Sequence, residues 1–119
     1  MKASELADEL IKMGVRSVPF KYRETLAGLV ECGGDDWKLT LVVIRTAVEL
    51  LNAKSLVGID ESNLLAALVF PDRLEELIQT RGWAVTLTGA LPLAAFRLAI
   101  FLYIQDRKPG FNVHRSSDF

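Results

Sequence analysis

The sequence predicts an all-α fold, a compact bundle of five to six helices around a hydrophobic central helix near the C-terminus. Three observations predict it. Residues 88–105, TGALPLAAFRLAIFLYIQ, carry one charge, Arg97, over a length of about four helical turns. A helix apolar nearly all round has to be covered on every side. In residues 37–52 the polar side chains Lys38, Arg45, Glu49 and Asn52 fall at offsets of 7, 11 and 14, which at about 100° per residue is one narrow stripe on an otherwise apolar helix. Finally, only WAVTLT at 83–88 alternates like a strand, and no second stretch offers it a partner.

Taken in order, Ser4 reads as the N-cap of a first helix, with Glu5 and Asp8 in its first turn where the helix dipole favours acids. Leu6, Leu10 and Ile11, with Ala3 and Ala7, form its apolar stripe, and Gly14 stops it. Ser17 is the expected cap of a second helix, with Pro19 in the first turn and Tyr22, Leu26, Leu29 and Val30 inward; Gly33–Gly34 ends it. Asp35 and Asp36 are expected to cap a third helix over 37–52, nearly as buried as the central one. Residues 53–59 read as a loop. Asp60 caps a short fourth helix through Leu64, Leu65 and Leu68, which Phe70–Pro71 terminates. Asp72 and Glu75 have capping-box spacing for a fifth helix, with Leu74, Leu77 and Ile78 inward and Gly82 at its end. Residues 83–88 are assigned to helix, broken or kinked at Pro92. Residues 1–108 make a single helical domain, and 109–119 a polar tail hinged at Pro109–Gly110.

Half of the 119 residues are hydrophobic and mean hydropathy is +0.25. That is more apolar content than a sphere this small hides easily, so part of it is expected to meet another chain. A net charge of −1 gives no global field for nucleic acid or anionic lipid. The single cysteine, Cys32, excludes an intrachain disulfide and a cysteine-based zinc site. Acids at Glu5, Asp8 and Glu9 stand where a signal peptide needs an apolar core, so a cytoplasmic protein is expected. Residues 83–105 are long enough to span a bilayer. Gly89 and Pro92 interrupt them, however, and Arg97 would sit deep in hydrocarbon at a cost of about 2.5–3.5 kcal/mol; no membrane span is expected.

Catalysis needs groups that trade protons or attack near neutral pH. The only histidine, His114, lies in the tail, a poor platform for a preorganised site. Cys32 stands at a helix C-terminus, whose negative partial charge disfavours a thiolate; it reads as a small residue packed under the Gly-Gly turn. The acids Asp35, Asp36, Asp60, Glu61 and Asp72 all fall at helix starts, where capping accounts for them without a metal. No phosphate loop, nucleophile elbow or HExxH pattern occurs. No enzyme, cofactor or metal is therefore expected.

Two sets of residues point to binding. Arg97, among Leu93, Ile100, Phe101 and Ile104, either pairs with an acid of the third or fourth helix, snorkels to the surface, or anchors a partner. Phe111, Val113 and Phe119 are the tail's apolar anchors, suited to a groove on a second subunit. Lys12, Arg16, Lys21 and Arg23 form a basic cluster without an intervening acid, so SELADELIKMGVRSVPFKYRETLAGLV resembles a helix-turn-helix with 17–30 as the reading helix. The expected function is that of a non-enzymatic, regulatory or assembly module that binds protein and associates with itself as a homodimer. The alternative is a small nucleic-acid-binding regulator that uses the basic cluster.

Overall fold

The structure, a computed structural model, describes residues 1–83, 87 and 89–107. These form six α-helices and no strand: α1 (Ala3–Lys12), α2 (Phe20–Cys32), α3 (Trp37–Asn52), α4 (Glu61–Val69), α5 (Pro71–Arg81) and α6 (Leu91–Arg107), with a short 3-10 turn at Gly34–Asp36 before α3. The fold is all-α, as expected. The chain divides into two compact units, Met1–Ser55 with α1–α3 and Leu56–Phe119 with α4–α6.

In the first unit α2 packs against both α1 and α3. Leu6, Ala7 and Leu10 of α1, Tyr22, Leu26, Ala27 and Val30 of α2, and Leu41, Ile44, Ala47 and Val48 of α3 are buried. Gly14 ends α1 as its φ of +96° allows. The Val15 N–H donates to the Leu10 carbonyl at 3.1 Å and the Gly14 N–H to Ile11 at 3.0 Å, a Schellman ending that leaves Val15 buried beneath it. Gly33 has a different task. A methyl group there would stand 2.7 Å from the Thr40 hydroxyl and 3.2 Å from the Val30 carbonyl, so a side chain at this position would force Thr40 to shift.

The helix starts differ from those expected. Ser4 lies inside α1, which begins after Lys2; there the Lys2 N–H donates to Glu5 Oε2 at 3.4 Å. Ser17 lies upstream of α2, whose first residue follows Pro19, and its carbonyl accepts from Asn52 Nδ2 at 2.7 Å. Proline presets the backbone for α2 without a side-chain cap. Asp36 precedes α3 and Asp60 precedes α4 as expected, yet neither side chain makes a capping bond. The Asp60 carboxylate instead accepts from the Ser62 hydroxyl at 2.6 Å. Helix α5 starts at Pro71, one residue before Asp72, so the Asp72–Glu75 box does not form. At α1, α2 and α5 an extended or proline residue sets the helix start, and the expected polar cap falls one or more positions away from where it would cap.

In the second unit each of α4, α5 and α6 packs against the other two. Helix α6 buries Ala95, Phe96, Ala99, Ile100, Leu102 and Ile104, and only Ala94, Gln105, Asp106 and Arg107 are exposed along it. All other residues from Leu91 to Ile104 are buried or half-buried. Pro92 falls in its first turn, where a missing N–H costs nothing, and not at a kink within a longer helix. Trp83 and Leu87 are not helical, and 84–86 and 88 lie outside the described residues. The Trp83 ring stacks on Phe96 with centroids 5.1 Å apart and planes 5° from parallel. Gly82, at φ +64°, ends α5 with the same paired carbonyl bonds as α1. Among the described residues no helix is long and apolar enough to cross a membrane.

Candidate functional site

Helix α3 carries two apolar faces. The first holds the buried Leu41, Ile44, Ala47 and Val48. On the opposite side Leu39 is 50% exposed, and Val43, Thr46 and Leu50 follow it, half-buried, at offsets of 4, 7 and 11. Alternating steps of four and three are the spacing of a coiled-coil seam. Val42 lies beside them, and its carbonyl accepts from the Thr46 hydroxyl at 3.4 Å. That bond satisfies the one polar atom on the face and leaves the Thr46 methyl for packing. The expectation that α3 is nearly as buried as the central helix is corrected at Trp37 and Leu39, which are exposed. Its polar stripe, with Arg45 Nε donating to Glu49 Oε1 at 3.2 Å, runs between the two apolar faces.

Other large apolar side chains are exposed nearby in sequence. Phe20, the first residue of α2, is 84% exposed, and Ile11 of α1 is 51% exposed. Leu29 and Trp37 are also exposed, so neither Ile11 nor Leu29 belongs to the buried stripes expected for them. In the second unit Val69 and Phe70, at the α4–α5 junction, and Val57 are exposed.

The basic cluster is less open than its sequence implies. Lys12 pairs with Glu9 at 3.5 Å. Arg23 turns back along α2: its Nε donates to the Val18 carbonyl at 3.0 Å, and its guanidinium lies over the Phe20 ring at 5.6 Å. Lys21 sits over the Tyr22 ring at 5.2 Å, and Arg16 is exposed. Residues 13–19 separate α1 from α2, a connection longer than the three or four residues usual in a helix-turn-helix.

Arg97 is half-buried, and its Nε donates to the Leu68 carbonyl at 3.1 Å. Leu68 lies in the last turn of α4, where helical N–H partners run out, so the arginine acts there as a C-terminal cap supplied by α6. Cys32 is exposed, not packed under the turn. Phe111, Val113, His114 and Phe119 lie outside the described residues.

The second unit also holds an open cleft of about 600 Å³, lined by Val57, Asp60, Glu61, Leu64, Tyr103 and Arg107 among others. Arg107 Nη1 donates to the Tyr103 hydroxyl at 3.0 Å, and its guanidinium stacks over the same ring at 5.2 Å. The cleft thus gathers carboxylates, a phenol and a guanidinium that is already bonded, which suits polar recognition more than proton transfer. Sequence reading missed both this cleft and the second apolar face of α3. The 4-3-4 spacing of Leu39, Val43, Thr46 and Leu50 was the signal for the face, but it was masked by the apolar residues between them. The cleft had no sequence signal, since it joins residues more than forty positions apart. Comparison of the chain with family models, curated proteins and solved structures gives no match.

Proposed function

We propose that this chain is a non-enzymatic interaction module that binds protein, itself included, in a regulatory or assembly role. The observation that carries the reading is the second apolar face of α3, with Leu39 half in solvent on a helix that already buries its other side. Leaving such a face in water forgoes roughly 25 cal/mol for every Å² of apolar surface, and a second chain recovers it. Exposed Phe20, Ile11 and Trp37 in the same unit add to the surplus. Phe111, Val113 and Phe119, with Arg97, join the reading on sequence alone, as residues suited to hold a partner.

The test is solution mass across a dilution series, from sedimentation equilibrium, with DNA and RNA titrations at several salt concentrations. A dimer that dissociates only on dilution, without nucleic-acid binding, supports the reading. A monomer at concentrations up to about 100 µM removes its self-associating part. Nucleic-acid affinity that falls steeply with salt would instead give the function to Lys12, Arg16, Lys21 and Arg23.

A further inference from the structure

We infer that two copies of this chain pair through the second face of α3, antiparallel and about a two-fold axis between Val43 and Thr46; the inference rests on the self-associating reading above. A two-fold contact requires a patch that fits itself. With the axis so placed, Leu39 meets Leu50 of the second copy and Val43 meets its Thr46. The four seam residues then match end for end without a gap in either copy. Thr46 brings no unsatisfied hydroxyl to the seam, because its Oγ1 is bonded to the Val42 carbonyl.

Charge selects the direction. Lys38 stands near the start of the polar stripe and Glu49 near its end, and both are exposed. Antiparallel pairing sets Lys38 of each copy by Glu49 of the other, next to the Arg45 that already bonds Glu49. Parallel pairing would put the two polar stripes on opposite flanks of the seam, where Lys38 of one copy cannot reach Glu49 of the other and the complementary charges go unused. The ends agree. Asp35 and Asp36 precede α3 and Lys54 follows it, all exposed, so the antiparallel pair brings the acids of one copy toward the lysine of the other. The helix dipoles also oppose favourably in that arrangement.

Sedimentation of the full chain and four variants decides the matter, with circular dichroism to confirm that each is folded. Leu39→Glu places a charge in the seam and should raise the dimer dissociation constant about tenfold or more. Lys38→Glu and Glu49→Lys should each weaken the dimer several-fold, and the double variant Lys38→Glu/Glu49→Lys should return it to within about twofold of wild type. If Leu39→Glu fails to fold, the charge-reversal series decides alone, since those side chains are exposed. A folded Leu39→Glu protein that dimerises like wild type, or a double variant no tighter than the single ones, overturns the α3 pairing while self-association stands. A wild-type chain that is monomeric overturns both.

Discussion

Three helices make each unit, and they enclose their apolar faces to different degrees. In α4–α6 every helix packs on the other two, and α6, the longest helix, exposes only Ala94 and its polar last turn. In α1–α3 the outer helices pack chiefly through α2, and five of the eight large apolar side chains exposed among the described residues belong here: Ile11, Phe20, Leu29, Trp37 and Leu39. A closed triangle gives each helix two covering neighbours, whereas a row gives the outer helices one. The amount of apolar sequence therefore does not decide where apolar surface is left over. Arrangement decides it, and it leaves the surplus on α3 although α6 has the longer uncharged run.

The largest test of that contrast is truncation in the closed unit. Phe96 and Ile100 are essentially inaccessible to solvent, and Phe96 also carries the Trp83 stack. Phe96→Ala is expected to cost about 3–5 kcal/mol and Ile100→Ala about 2–5 kcal/mol, from lost transfer energy plus a cavity. Ile11→Ala, at a half-exposed site, should cost well under about 1 kcal/mol. Urea denaturation measures all three. Equal costs at Phe96 and Ile11 would erase the distinction between the units.

A smaller effect probes where the first unit is tight. Gly33→Ala drives a methyl group to 2.7 Å from the Thr40 hydroxyl, and overpacking of this kind costs about 1–3 kcal/mol. Because the obstacle is one side chain, Thr40→Ala in the same protein should recover part of the loss. Absence of any coupling in the double-mutant cycle would mean that the α2–α3 turn relaxes freely.

Arg97→Leu comes next in size. Sequence reasoning expects a tolerated change because a buried ion pair is often replaceable by packed apolar atoms. The contact seen at the guanidinium Nε is a backbone carbonyl, that of Leu68, so the variant loses a cap and stays folded at a cost of about 1 kcal/mol. Arg97→Ala should be worse, since it also removes the packed stem. Wholesale unfolding of the leucine variant would make Arg97 the centre of a larger polar network.

Much of this was legible from residue order, and the reason is local. Helix α3 was bounded correctly at 37 and 52 because a Gly-Gly break and a single polar stripe delimit it. Gly14 and Gly82 were read as stops because only a left-handed residue closes a helix that way. Starts were less legible, since Ser4, Ser17 and Asp72 are all plausible caps and proline or an extended neighbour decided which backbone turned first. The second apolar face of α3 was not legible at all. A helix apolar on two sides does not say which side the chain itself covers, and that depends on packing between helices far apart in sequence.

The smallest effect compares one structural device in both units. Helices α1, α3 and α5 end alike: a residue one or two positions past the helix adopts a left-handed backbone, and its N–H and the next one bond carbonyls of the last turn. Gly82 serves α5 at φ +64°, but α3 uses Lys54 at φ +56°. Its Ser55 N–H donates to Leu50 at 3.1 Å, and its own N–H to Leu51 at 3.1 Å. A residue with a Cβ pays about 1–2 kcal/mol in this region, whereas glycine gives back some of that gain through its freer unfolded chain. Lys54→Gly should therefore stabilise the protein by up to about 1 kcal/mol, and Gly82→Ala should destabilise it by a similar amount. Thermal melts at low protein concentration, where any dimer has dissociated, measure both without the charge of Lys54 entering through association. If Lys54→Gly is instead destabilising under those conditions, the lysine side chain makes a contact within the first unit that outweighs its backbone strain, and the C-terminal end of α3 is held by more than its two carbonyl bonds.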